Sequence, residues 1–223
     1  MDYSWFVTIQ VRLMVMSKQR QAPGELERVR RFVNTRQVGR VTDRLSDPSA
    51  LAAWLEQEGL APAATRATRA DLARAVALRE ALRAILLAHN AGPGPGPRPG
   101  PGRAAADAAL ADARRALDEA AARARLRVRF GDDGSALLAP EAGGVSGALG
   151  RLVATVHDSI AQGTWTRLKV CRDPECEWAF YDHTKNRSGA WCSMEGCGNR
   201  AKARAFRERR AAVGGERRAA ASG

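Results

Sequence analysis

The chain has 223 residues, with 36 Lys and Arg against 24 Asp and Glu, a net charge of +12 and a pI near 10.8. That length accommodates one medium domain and a small module, and it is enough to bury a core. So positive a balance points to an anionic partner, and only Lys18, Lys169, Lys185 and Lys202 are lysine, the rest arginine. The opening apolar stretch is broken by Gln10 and Arg12, well short of the ~20 residues that cross a bilayer. It lacks the leading positive charge and small-residue cleavage site of a secretory leader. A cytoplasmic protein with no membrane partner is the reading that follows. No nucleophile stands with its base, no glycine loop is built for phosphate and no acids are paired at a recognisable spacing, so an enzyme is not expected.

Residues 1–21 come first. Tyr3, Trp5, Val7, Ile9, Val11, Leu13 and Val15 alternate as a half-buried strand would, yet Met14 and Met16 offer later starts, and the stretch is read as an extension. From Pro23 to Asn34 the spacing of Leu26, Val29, Phe32 and Val33 predicts a short amphipathic helix. Asp47-Pro48-Ser49 opens a second, with Leu51, Trp54 and Leu55 on one face. Residues 69–89 form the longest, with Leu72, Val76, Leu82, Ile85 and Leu86 as its core stripe. Residues 91–103, dense in Gly and Pro, read as a spacer.

An alanine-rich helix follows over 104–124. A β-hairpin is expected from Leu126 to Phe130 and Ala136 to Leu138, turning at Gly131-Asp-Asp-Gly134. Val145 to Ile160 returns to helix, burying Leu149, Leu152, Val153, Val156 and Ile160. The fold class is therefore mainly α with a small β-hairpin (α+β): a helical domain over 22–163, then a module over 164–212 and a solvated, disordered tail over 213–223.

All four cysteines lie in that module, as Cys171-x4-Cys176, fifteen residues, then Cys192-x4-Cys197. Two thiol pairs joined by a short loop can give four thiolates to one Zn²⁺, a closed structural site with no open position for chemistry. Two disulfides would require an oxidising compartment that nothing else supports. Residues 167–218 carry 13 Lys and Arg against 7 Asp and Glu, half of the net charge in less than a quarter of the chain.

The segment that runs Cys171-Arg-Asp-Pro-Glu-Cys176-Glu-Trp-Ala-Phe-Tyr-Asp-His and on to Trp191-Cys192 and Cys197-Gly198-Asn199-Arg200 resembles the CGNR zinc-finger family. Upstream, Phe32-Val33-Asn34-Thr35-Arg36 and the stretch from Asp43 to Leu60 resemble the ABATE domain that accompanies this finger. The resemblance implies a DNA-binding transcriptional regulator, responsive to stress or to a ligand, with one structural zinc on Cys171, Cys176, Cys192 and Cys197.

Beyond the ligands, Trp178, Phe180 and Trp191 are expected as a miniature core, and His183 as a polar side chain outside the metal shell. Asn199 is placed as the N-cap of a basic helix on which Ala203 and Phe206 rest against the finger. Arg200, Arg204 and Arg207 share one face of it, Lys202 and Arg209 another, suited to phosphates or guanine edges in duplex DNA. Lys185 and Arg187 in the loop between the cysteine pairs are a second set of phosphate contacts. Arg200 has a structural alternative, tying a carboxylate such as Asp182. Asn34, Thr35 and Arg36 form a polar cluster that could line the pocket of a small-molecule effector, or simply cap a helix, and a homodimer on paired half-sites fits a regulator. The rival reading is a zinc-dependent RNA-binding or protein-interaction module without DNA sequence specificity, and a third is a redox-sensing zinc switch.

Overall fold

The computed structural model describes residues 20–40, 42–91 and 101–220. Helices α1 (Leu26–Val33), α2 (Pro48–Gln57), α3 (Arg69–Ala88), α4 (Pro101–Ala124), α5 (Gly144–Ala161) and α6 (Asn199–Ala220) dominate it. Three antiparallel strand pairs complete it: β1 (Arg36–Gln37) with β2 (Thr42–Asp43), β3 (Leu126–Phe130) with β4 (Ala136–Pro140), and β5 (Leu168–Val170) with β6 (Ala179–Tyr181). The chain is mainly α with small β ribbons. One hairpin is legible beforehand; the pairs of two and three residues are too short to carry a period.

Local chemistry sets the helix starts. The Asp47 carboxylate accepts from Ala50 N at 2.9 Å, with Pro48 in the first turn. Thr68 and Asp71 form a reciprocal capping box at the head of α3, with Asp71 N donating to Thr68 Oγ1 at 3.1 Å and Thr68 N to Asp71 Oδ2 at 2.8 Å. Each such cap stabilises its helix by ~1 kcal/mol.

A single core runs through the molecule. Val29, Phe32 and Val33 of α1, Leu51, Trp54 and Leu55 of α2, Leu78, Leu82 and Leu86 of α3, and Leu149, Leu152 and Val156 of α5 are buried in it together. Leu168, Val170, Ala179 and Tyr181 of β5 and β6 belong to the same cluster. Each of the larger side chains contributes about 1.5–3 kcal/mol by leaving water, so the short ribbon of the cysteine module is anchored by the helical domain.

The stripe on α3 is shifted from the one the sequence predicts. Leu72 and Ile85 are only partly buried, while Ala75, Leu78, Arg79 and Arg83 are buried with Leu82 and Leu86. The two arginines account for the difference: their polar partners, described below, pull that face inward. Ile160, expected on the buried face of α5, is 57% exposed because the helix ends against solvent one residue later.

The segments at either end and around the spacer also differ from expectation. Residues 1–19, including the alternating apolar stretch, and residues 92–100 of the spacer lie outside the described residues. Arg20 and Gln21 do not behave as part of an extension: Tyr181 N donates to Arg20 O at 3.1 Å, the Arg20 guanidinium sits 5.1 Å over the Phe180 ring, and His183 Nε2 lies 3.0 Å from Gln21 O. Helix α4 already begins at Pro101, inside the expected spacer, and α6 runs on to Ala220 through the expected tail.

Candidate metal centre and nucleic-acid interface

The first cysteine knuckle hangs from the β5–β6 ribbon. Cys171 follows β5 directly, Cys171 N donates to Trp178 O at 2.9 Å, and Cys176 N returns to Asp173 O at 2.9 Å. The second knuckle is tied to the first by Arg172 N donating to Ala190 O at 3.1 Å. Its loop closes in a π-turn over Met194–Gly198, with Gly196 N donating to Ser193 Oγ at 3.2 Å. The turn leads straight into α6, so the helix has no separate N-cap. Asn199 lies in helical conformation and donates from Nδ2 to Glu195 O at 3.1 Å, a correction to its expected capping role.

This local folding brings the sulfurs of Cys171, Cys176, Cys192 and Cys197 within 4.8 Å of one another. Cys176 Sγ is 3.5 Å from Cys192 Sγ, which is 3.6 Å from Cys197 Sγ. A tetrahedron with Zn–S bonds of ~2.3 Å has S–S edges of ~3.8 Å, so the donor set fits one zinc ion. Cys171 and Cys197 are buried; Cys176 and Cys192 are half-buried. None of the four is joined to another by a disulfide bond.

The electrostatics of the sulfurs explain why they need a cation. Hydrogen bonds from Cys176 and then Cys192 lower Cys171 to about 2. That thiolate, with Cys176, pushes Cys192 up, and burial followed by the Cys171 charge raises Cys197 to about 12. Four sulfurs this close cannot all ionise unaided, and a divalent ion makes it favourable.

Two buried acids organise what surrounds the cluster. Asp182 accepts from Lys169 Nζ at 2.8 Å, from Thr184 N and Oγ1 at 3.0 and 2.7 Å, and from Gly189 N at 2.8 Å. Burial opposes its charge, yet the Lys169 and Thr184 hydrogen bonds outweigh that and hold the carboxyl at about 2. Asp182 therefore shapes the loop that carries Lys185 and Arg187, both exposed, with Arg187 Nη1 3.3 Å from Thr166 Oγ1. It is not the partner of Arg200.

That partner is Asp173, fully buried in the first knuckle. Arg200 Nε donates to its Oδ2 at 2.9 Å, Arg200 Nη2 to Cys197 Sγ at 3.0 Å, and Arg204 Nη2 to Asp173 Oδ1 at 3.0 Å. Although burial raises it, the Arg200 and Arg204 contacts hold the Asp173 carboxyl below its usual range. Sequence reasoning missed Asp173; an acid two residues after a ligand cysteine, inside the tight knuckle, was the available signal. Over residues 199–210 of α6 the half-buried ones are Ala201, Arg204 and Ala205, whereas Ala203 and Phe206 are exposed, Phe206 at 54%. At about 100° per residue, Lys202 and Arg209 stand half a turn from Arg200, on the outward side with exposed Phe206 and Arg210, whose guanidinium lies 5.7 Å from the Phe206 ring. Arg207 is exposed one turn beyond Arg204. Of the three aromatic residues expected as a miniature core, Phe180 is buried and Trp178 and Trp191 are half-buried.

The polar cluster at the end of α1 is divided between the module, which Asn34 meets, and the helical domain, which holds Thr35 and Arg36. Asn34 Nδ2 donates to Ala179 O at 2.9 Å and Ala179 N donates to Asn34 Oδ1 at 2.7 Å. Thr35 Oγ1 donates to Phe32 O at 2.7 Å and accepts from Arg79 Nη1 at 3.1 Å, while Arg79 also pairs with both oxygens of Asp43 at 2.7 Å. Exposed Arg36 reaches Glu80 at 3.6 Å. Asn34 thus fills the join between domain and module, while Thr35 is held inside the helical domain, and neither lines the cleft nearest the cysteines. The cleft nearest the cysteines is formed by Gln37, Val38 and Gly39 against Pro174, Glu175, Cys176, Trp178, Cys192 and Arg200. Further bonds cross the same join: Arg83 Nη1 to Glu177 O at 2.7 Å and His89 Nδ1 with Leu168 O at 2.8 Å, while Arg83 Nη2 donates to Val33 O at 2.7 Å within the helical domain. Burial, outweighing the Leu168 contact, lowers the His89 pKa and keeps the ring neutral.

Among the described residues no helix is long and apolar enough to cross a membrane. Residues 167–210 match the CGNR zinc finger, and residues 27–163 match the ABATE domain, described as "Putative stress-induced transcription regulator". Among curated proteins none matches the chain. The cysteine cluster is the structural site of one zinc ion, and with the ABATE match spanning more than half of its length the chain belongs to the ABATE family and carries a CGNR zinc finger.

Proposed function

We propose that the protein is a cytoplasmic, nucleoid-associated transcriptional regulator whose zinc-organised module binds duplex DNA through the outward side of α6. The observation that carries this reading is the exposed basic pair Lys202 and Arg209 on a helix whose opposite side is fixed to the metal knuckles, with exposed Arg207 one turn beyond Arg204 at the edge of that fixed side. Lys185 and Arg187, on the loop built around Asp182, are a second group of phosphate contacts. Arginine and lysine on a rigid helix supply the charge that displaces counterions from a duplex, and arginine can fork onto guanine. The helical domain has no assembled catalytic constellation in this reading; it senses stress or a small effector and transmits the change through the shared core and the bonds at Ala179 and Glu177. Dimerisation on paired half-sites belongs to the same proposal.

Enrichment of random duplex DNA on the zinc-loaded full chain tests it. A recovered motif whose binding disappears on chelation is the expected result. Binding without a motif, equal on RNA and DNA and falling only with salt, would favour the RNA-binding or protein-interaction reading. The exposed Phe206 beneath Arg210 is the observation on that side, because an exposed ring can stack on an unpaired base.

A further inference from the structure

We infer that Arg200 is a positioning residue of the zinc centre and not a nucleic-acid contact: Asp173 clamps its guanidinium against the Cys197 sulfur, so that the metal site and the basic helix orient each other. Arg200 spans two elements in one gesture, with Asp173 on the first cysteine knuckle at 2.7–2.9 Å and the Cys197 sulfur of the second knuckle at 3.0 Å. Arg204, one turn along α6, takes the other oxygen of the same carboxylate at 3.0 Å. Asp173 is fully buried and its own backbone carbonyl accepts from Cys176 N at 2.9 Å and Glu177 N at 3.1 Å, so its side chain has no freedom to follow a moving helix.

The chemistry suits a thiolate site. Zinc on four thiolates carries two negative charges, and the two arginines with one aspartate add one positive charge beside it. An N–H donor on a ligating sulfur orients the lone pair that remains and tempers its electron density, the role that outer-shell partners play around metal centres. The planar, forked guanidinium can serve carboxylate and sulfur together; an ammonium cannot reach both with the same geometry. Two arginines four residues apart on one carboxylate also fix the rotation of α6 about its axis, which turns Lys202 and Arg209 outward.

This inference rests on the zinc site alone and stands whether or not DNA is the partner. The test uses the full chain, with zinc affinity read by chelator competition and the thiolate-to-metal charge-transfer bands read after cobalt substitution. Arg200→Ala and Asp173→Asn are expected to weaken zinc by about 10- to 100-fold. Loss of the N–H on Cys197 should move the cobalt bands to longer wavelength in Arg200→Ala, while Arg207→Ala changes neither readout. Arg200→Lys, which keeps the charge without the fork, should show a smaller band shift and covers the case in which the alanine variant does not fold. Unchanged affinity together with superimposable cobalt bands in the Arg200 variants would overturn the inference. So would a fall in the salt dependence of nucleic-acid binding by about one phosphate contact with the metal site untouched, the signature of a direct phosphate contact.

Discussion

Asn34 stands in for a β-strand: its side-chain amide makes both backbone hydrogen bonds of Ala179, accepting from the N–H at 2.7 Å and donating to the carbonyl at 2.9 Å. Ala179 is fully buried at the start of β6, and Arg30 Nη1 reaches the same carbonyl only at 3.4 Å. Asn34→Ala would leave the N–H without a partner, at a cost of about 1–3 kcal/mol per buried unsatisfied group. Urea unfolding should show that loss. Asn34→Asp keeps the acceptor but faces the carbonyl with a like partial charge, so it should not restore stability.

Gly39 sits so close to the first knuckle that a Cβ there would lie 2.1 Å from Glu175 O. The contact is backbone, so neither side can swing away. Gly39→Ala should destabilise the chain by about 1–3 kcal/mol through overpacking and should weaken zinc by displacing Cys176. Thermal unfolding and chelator competition measure the two effects. A variant as stable as wild type would mean that the β1–β2 ribbon does not press on the knuckle.

Zinc removal should act locally. Because Leu168, Val170, Ala179 and Tyr181 are packed in the helical core, chelation is expected to free the knuckles while β5, β6 and α3 stay folded. Amide exchange should quicken at Cys171, Arg172 and Cys176, whose N–H groups bond within the knuckles, and stay slow along α3. Cys192→Ser should reproduce the pattern. Protons and zinc compete for the same sulfurs, so affinity should fall as pH falls.

Asp182 fixes a second pH effect, of definite sign. Its folded carboxyl is held at about 2, below the ordinary 3.8, so its contribution is present in full above about pH 4 and is lost as pH falls through 2. The shift corresponds to about 2 kcal/mol. The stability gap between wild type and Asp182→Asn should therefore be constant from pH 8 to pH 5 and narrow only below about pH 4. A gap that already closes between pH 8 and pH 5 would place the proton elsewhere.

The helices and the zinc ligands were legible because their signals are local. The Asp47-Pro48-Ser49 start, apolar spacing in α1 and α5, and the two cysteine pairs each declare themselves within a few residues. The join was not legible, because it is made of polar side chains meeting backbone far along the chain: Asn34 to Ala179, Arg83 to Glu177, His89 to Leu168. Arginines on α3 look like solvent-facing residues until their partners are placed, the Asp43 carboxylate for Arg79 and the Val33 and Glu177 carbonyls for Arg83. The same holds for Arg200 and Arg204, whose helical spacing reads as a basic face and whose shared acid, Asp173, is 27 and 31 residues earlier. Only the folded knuckle brings it to them.

The most direct test of the zinc-organised basic face is the salt dependence of duplex binding by the zinc-loaded full chain, compared with the double variant Lys202→Ala, Arg209→Ala. The two side chains should account for about 0.9 each in the slope of log affinity against log salt, with zinc content unchanged. A slope identical to wild type would contradict the placement of nucleic acid on the outward side of α6.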